Sequence, residues 1–497
     1  MLVWDCKDSC FLQIDKKIST FERLNLDTMI DSLLRHFRSG GRMVCLLSAA
    51  LVSCSAPTVS YCPEEAHTSL DMTLAPQALM QQDPTLMLNE LHPYICYADE
   101  DTPAPEGYKP FYISHYGRHG SRSMHTDATL VKVMDIMQPA LEEDNLTPLG
   151  RQLYDTLMLV KAQTEGAVGR LTRLGALQHA GIATRMYARF PEVFKGDAYV
   201  SCISTVIPRC IMSMSNFNMA LKGCQPNLDI RMNCQESYTP WMNAKEPDRI
   251  ARVNKMVDKA YPLDESGMIA RIFKQAPKNG KGFMNALFRT LAPGVNLDKP
   301  VLGLNFFSQE ELWSLWARYN VREYMNCSNP AEIGYERMRI FTPLIDTIVV
   351  CADRAIAAFA CASAGNACAS ASACASDKPH AADLRFGHDY PLMTILSYFE
   401  PEGLELGLTM DQVNERFATA RWISMASNLQ LIFYRKSNGS CSVDGTYCAA
   451  AEDILVKVLH NEGEVKLQGL TPVSGPYYKW SDLRQARLTR AGQYRNL

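Results

Sequence analysis

The stretch FYISHYGRHGSRSM, residues 111 to 124, constrains this chain more than any other. Its first residues alternate apolar and polar side chains, the period of a β-strand. Arg118, His119, Gly120 and Arg122 then fall within five positions. A strand of this kind belongs inside a sheet, where an unpaired guanidinium is costly. In open α/β sheets, ligands bind just outside the carboxyl ends of strands. Positive charge concentrated at such an end therefore marks a place for an anion. The planar forks of two arginines suit phosphate oxygens, and glycine after the histidine lets another group come close to the imidazole.

That anion site has to be local, because the net charge is −3 and gives no general basic field for nucleic acid. Two further stretches place polar groups just after a strand. Ser204-Thr205-Val206-Ile207-Pro208-Arg209 follows a strand at 198–203, and Gly387-His388-Asp389 follows ADLRF at 382–386. A fourth candidate is the helix from Thr172 to Phe190, whose Gly175 and Gly181 suggest close backbone approach. His115, His125 and His179 read as structural or exposed. Asp389 is also a candidate helix N-cap, a position aspartate favours.

Strands interleaved with helices argue an α/β fold, a mostly parallel sheet flanked by helices. Leu130, Val133, Met134 and Met137 recur at helical spacing, as do Leu149, Leu153, Leu157 and Val160. Ser308 to Glu311 has the capping-box form, and Leu312, Leu315, Trp316 and Tyr319 then share one helix face. The chain divides into a leader at 1–53, a spacer at 54–105, an α/β core at 106–210 and 345–497, and a helical cap at 211–344 beside the site. Leu429, Leu431 and Phe433 should pair with the strand Ile454 to Leu459 across a loop in which Cys441 and Cys448 form the first candidate disulfide. The Cys/Ala/Ser-rich run at 359–377 reads as a surface insertion, and its cysteines lack zinc-ligand spacing.

Residues 45–53 form a short apolar run preceded by Arg35, Arg38 and Arg42. It is too short to span a bilayer and suits a signal-peptide core. Met29 would give a leader of more usual length. The run ends in Leu51-Val52-Ser53-Cys54, which resembles the lipobox of bacterial lipoproteins. Lipidation of Cys54 would place the protein in the periplasm or on the outer membrane, held by a lipid anchor. Cleavage there would remove Cys6, Cys10 and Cys45 from the 17 cysteines and leave 14, one of them lipidated. The remaining thiols would then meet an oxidising compartment.

RHGSR at 118–122 resembles the RHGxRxP signature of the histidine phosphatase superfamily. LTRLGALQHAG, RMYARFPEVF, STVIPRC and ADLRFGHD resemble later motifs of its second branch, in the same order. That branch holds histidine acid phosphatases, phytases and multiple inositol-polyphosphate phosphatases. The resemblance covers most of residues 105–490. It implies His119 as nucleophile, Asp389 as proton donor, and Arg118, Arg122, Arg209 and His388 as phosphoryl ligands. It implies a small-molecule phosphomonoester as substrate, inositol phosphates among the candidates, and no metal or organic cofactor.

Three arginines would also hold a proton off His119, and a bound dianion would raise Asp389, so that an acidic optimum is expected. Two departures stand out. Met124 occupies the place of the signature's proline, which puts the geometry of that loop in question. The third motif reads His-Asp, whereas the multiple inositol-polyphosphate type usually carries HAE; His380-Ala381-Ala382 is a decoy placed before the strand. The rival readings are a phosphate- or inositol-phosphate-binding lipoprotein without catalysis, and a lipoprotein whose helical part serves adhesion.

Overall fold

The computed structural model describes residues 74–363, 379–436 and 453–495. Cys54, the apolar run before it, the Cys441–Cys448 pair and most of the Cys/Ala/Ser-rich run lie outside the described residues. No helix among the described residues is long and apolar enough to cross a membrane.

Among the described residues an eight-stranded sheet forms the centre. In chain order its strands are β1 (Tyr108–Arg118), β2 (Tyr199–Ser204), β3 (Asp229–Cys234), β4 (His380–Gly387), β5 (Asn428–Lys436), β6 (Leu455–His460), β7 (Gly463–Glu464) and β8 (Tyr477–Lys479). Their spatial order is β3-β2-β4-β1-β5-β6-β7, with β8 also on β6. The first four are mutually parallel, β5 runs antiparallel to β1, and β6 is antiparallel to β5. Ile432 lies opposite Lys457, the expected pairing of the last two long strands.

The helices are α1 (Ala128–Glu142), α2 (Pro148–Thr164), α3 (Arg173–Arg189), α4 (Pro208–Cys224), α5 (Pro247–Ala260), α6 (Ser266–Ile272), α7 (Phe283–Leu291), α8 (Gln309–Cys327), α9 (Gly334–Ser363), α10 (Asp389–Phe399) and α11 (Trp480–Arg495), with shorter turns between them. Strand alternation divides the apolar side chains between the two faces of the sheet. Ile113, Val200, Leu384, Phe386 and Ile432 share a cluster with Ile182 and Met186 of α3 and with Met214 and Phe217 of α4. Tyr112, Tyr116, Leu431, Phe433, Val456 and Val458 share another with α9, α10 and α11. Because both faces are covered, β1 is buried from Phe111 to Arg118. Its apparent amphipathic alternation reflects position near the centre of a two-sided sheet, not a solvated face.

A third cluster builds the helical layer. Leu130, Val133 and Met137 of α1 and Leu153 and Leu157 of α2 pack with Ile272 of α6, Leu287 of α7 and Leu315 of α8. The predicted capping box at Ser308 and Glu311 opens α8.

Several sequence boundaries change. The helical layer draws on α1 and α2 as well as on the 211–344 stretch, and β3 lies within that stretch yet extends the sheet. The boundary at 344 falls inside α9, which runs through Pro343. The supposed spacer supplies core residues: Leu79, Leu86 and Leu88 are almost wholly buried. Its helical segments at 76–82 and 84–91 are short and proline-led, so they lack a long apolar period. His380 and Ala381 lie within β4 and not before it.

Candidate active site

Sheet register brings the predicted residues together. Arg118 lies beside Gly387 in the parallel pair β1–β4, and Ser204 beside Phe386 in β2–β4. Three strands thus end side by side, and the segments leaving them meet at one point. Arg118 and His119 come from β1, Arg209 from the first turn of α4, and His388 and Asp389 from the start of α10. Pro208 at the first position of α4 fixes the turn that presents Arg209.

His119 is buried, and its Nδ1 lies 2.9 Å from the carbonyl oxygen of Gly120. A carbonyl only accepts, so Nδ1 carries the proton and Nε2 keeps its lone pair. Its backbone is clamped on both sides: the N–H donates to Gly387 at 2.9 Å, and the carbonyl accepts from Ala426 at 3.0 Å. His388 meets the His119 ring edge-on, 5.7 Å between centroids, and stacks in parallel on Tyr390 at 5.6 Å. Burial, then Arg209, Arg118, Arg122 and His388, hold His119 well below the usual imidazole value. The direction is the one expected from three arginines, but burial is the larger cause.

Arg118 is fully buried. One nitrogen donates to the carbonyls of Glu90 and Ile423, and Nη2 sits 2.8 Å from Oδ2 of Asp389. Sequence reasoning missed Glu90 and Ile423 because carbonyl acceptors leave no side-chain signature. Arg122 donates to the Ser123 carbonyl at 2.9 Å. Among the described residues neither Arg122 nor Arg209 forms an ion pair, so Asp389 is the counter-ion of one guanidinium out of three.

Asp389 is the first residue of α10, and His388 occupies the N-cap position. The carboxylate accepts the N–H of Tyr390 at 2.9 Å, which is how it serves the helix start without being the cap. Burial pushes its pKa up, but Arg118, His388 and Arg122 prevail and leave it below the ordinary carboxylate value. Any elevation has to come from a bound anion.

The loop between Gly120 and Met124 is held by α3 and the segment before it. A Cβ on Gly120 would meet the Gly175 carbonyl oxygen at 2.5 Å, and one on Gly175 would meet the Ser121 carbonyl oxygen at 2.2 Å. The two glycines thus exist for each other: what the missing side chain of Gly120 admits is the backbone of α3. Ser121 N donates to Gln178 Oε1 at 2.8 Å, and its hydroxyl donates to Asn296 Oδ1 at 2.7 Å. Beyond it, Thr172 N donates to Ser121, Ser123 N to Arg170 and Gly169 N to Met124. This short ladder shapes the backbone where the family signature has proline, and the Met124 side chain fills the core of the helical layer.

The site opens into a cleft of about 660 Å³ between the sheet's end and the helical layer. Besides Arg209, His388 and Asp389 its walls carry Arg289, Arg322 and Glu323. His125, set aside in the sequence, also lines it; burial, Arg122 and Arg209 bring its pKa down to about 4. His115 and His179 are buried on the α3/α4 side, next to Phe386.

Comparison with protein-family models gives no match, and none of the curated proteins matches either. Solved structures do match. The multiple inositol polyphosphate phosphatase of Bifidobacterium longum in complex with phosphate superposes with a TM-score of 0.61 at 16% identity, covering 82% of this chain and 98% of that one. Its complex with inositol hexasulfate gives 0.60 at 17%, covering 80% and 96%. The phytase from D. castellii gives 0.56 at 13%, covering 86% and 90%.

The chain has their fold. At these identities the likeness establishes architecture, and the chemistry rests on the residues of the cleft.

Proposed function

We propose that this protein is a phosphomonoester hydrolase of the histidine phosphatase superfamily, acting through a phosphohistidine. The observation that carries the reading is the convergence of Arg118, Arg122 and Arg209 on one buried imidazole with a single carboxylate as counter-ion. So much buried positive charge is stabilised by a polyanion, and three preorganised guanidiniums suit the equatorial oxygens of a phosphoryl group in transfer.

His119 attacks phosphorus through Nε2, and the bond to the leaving oxygen breaks as Asp389 gives that oxygen its proton. Water then attacks the phosphohistidine and passes a proton to Asp389, which releases inorganic phosphate and restores both groups. Arg118 holds Asp389 at the start of α10 and shares the phosphoryl charge; His388, stacked on Tyr390, presents its edge to the same oxygens. The substrate is a small phosphomonoester, with inositol phosphates supported by the proteins that share the fold. Export and a lipid anchor at Cys54 complete the reading.

Phosphate release from phytate, a sugar phosphate and a nucleotide, at pH 4 to 8, tests it. His119→Ala should lower kcat/KM by about a thousandfold or more. Asp389→Asn should slow alkyl phosphates more than aryl phosphates, whose leaving groups need less protonation. Wild type and His119→Ala of equal activity would leave only a binding protein.

A further inference from the structure

The proposed hydrolysis leaves one acid of the cleft unused. Glu323, in α8, lines the same cleft as Arg209, His388 and Asp389. The cations near it are engaged elsewhere: Arg322 pairs with Asp258 at 2.6 Å, and Arg289 lies 3.5 Å from Glu90. Glu323 forms no ion pair among the described residues. Among the described residues its carboxyl accepts only the thiol of Cys327, 3.5 Å from Oε2 and one turn further along α8.

The charged groups facing it are Glu90 from the 84–91 segment, Asp389 from α10 and Arg289 from α7, with Cys327 on its own helix. Two acids thus oppose one cation that is already shared. Burial first, then Glu90 and Asp389, push Glu323 up to about 8 against the pull of Arg289. The farther charges of the cleft, Lys245, Arg337 and His125, make no ion pair with it. Neutral amides share these walls: Asn243, Asn254 and Asn285.

We propose that Glu323 is a specificity-determining residue whose carboxyl group hydrogen-bonds the hydroxyls of the leaving alcohol as they lie in the cleft beside Asp389. This rests on the hydrolase reading and deepens it. A protonated carboxyl offers one O–H donor and a carbonyl acceptor, as a hydroxyl does, so the two pair reciprocally. The neighbouring amides offer the same mixture. An ionised Glu323 would instead repel the phosphodianion held by the arginines. Above pH about 8, binding therefore requires uptake of one proton, and KM climbs by up to about tenfold per pH unit.

The test compares wild type, Glu323→Gln and Glu323→Leu on glycerol 2-phosphate and phenyl phosphate between pH 5 and 9. Glutamine keeps a donor and an acceptor without a titratable proton. It should keep KM for glycerol 2-phosphate at pH 5 within about threefold and abolish the rise above pH 8. Leucine should raise KM for glycerol 2-phosphate about tenfold and for phenyl phosphate less than about twofold, with kcat on phenyl phosphate kept. The inference is overturned if Glu323→Gln shows the wild-type rise, or if leucine affects both substrates alike. Should the leucine variant fail to fold, as judged by circular dichroism, the glutamine arm decides alone. Absence of phosphate release by the wild type itself would overturn the hydrolase reading and this inference with it, a result distinct from an active wild type whose pH dependence survives Glu323→Gln.

Discussion

Arg118 and Asp389 meet at 2.8 Å, the last residue of β1 against the first of α10. The same arginine is pinned by two backbone carbonyls, so the carboxylate is held by a cation that has little freedom to move. Before substrate binds, Asp389 is thereby kept below the ordinary carboxylate value. A bound phosphodianion competes for Arg118 and drives Asp389 upward. The alkaline limb of kcat/KM reports the free enzyme, and that of kcat the complex. The kcat limb should therefore lie about one pH unit or more above the kcat/KM limb. Superimposable limbs in a steady-state pH series on an alkyl phosphate would show that Arg118 does not set the charge of Asp389, the proposed proton donor.

Gly175→Ala should disable the site from a distance. The added methyl would stand 2.2 Å from the Ser121 carbonyl oxygen and 2.7 Å from the Ser121 nitrogen. Neither atom can yield, since Ser121 N is bonded to Gln178 and its carbonyl to Thr172. Overpacking of this kind costs about 1–3 kcal/mol, and displacement of the loop carries His119 and Arg122 with it. Thermal unfolding should fall by several degrees and kcat by about a hundredfold. A variant with the wild-type kcat would mean that the loop's position does not matter to the chemistry.

How much of this is legible in the chain depends on what each residue contributes. The strand ends are legible because Arg118, His119, Arg209, His388 and Asp389 are chemically unusual where they stand, and periodicity gives β1, α1 and α2. What escapes is whatever acts through backbone or through long-range packing. The carbonyls of Glu90 and Ile423 that fix Arg118 have no side-chain signal. The segment around Leu86 looks like a spacer because its short turns carry no helical period. Glu323 carries no local motif in the sequence; only the cleft sets it apart. Gly175 is legible in part: close approach is expected of a glycine in a helix, but its partner, Gly120, lies 55 positions away in sequence, and Gly120 reads only as room for a group beside the imidazole.

Met124→Pro should show which half of Met124 matters. The ladder from Gly169 to Thr172 already shapes the loop, and Met124 contributes its carbonyl to it, accepting from Gly169 at 2.7 Å. Proline keeps that carbonyl but removes a side chain that is 1% exposed in the helical layer. Loss of such a side chain costs about 2–5 kcal/mol. Unfolding in denaturant should show that loss, while kcat/KM of the folded variant stays within about threefold of wild type. A large fall in kcat/KM without a fall in stability would return the loop's geometry to residue 124.

Acid should weaken the fold through its buried histidines. His115 and His179 are both brought from 6.5 down to about 3, chiefly by burial, and His460 to about 4. A histidine whose pKa is lowered on folding stays neutral in the native protein while the unfolded chain takes up protons. Stability is therefore whole above pH 6.5 and falls as the pH drops from there toward 3 to 4, by up to about 1.4 kcal/mol per pH unit for each group. His115 lies between Phe217 and Phe386, so leucine fits its surroundings without a titratable group. Thermal unfolding of His115→Leu should lose less between pH 7 and pH 4 than that of the wild type, whatever the offset at pH 7. Parallel curves would show that His115 takes up its proton as readily in the folded protein as in the unfolded chain, and that burial does not set its charge.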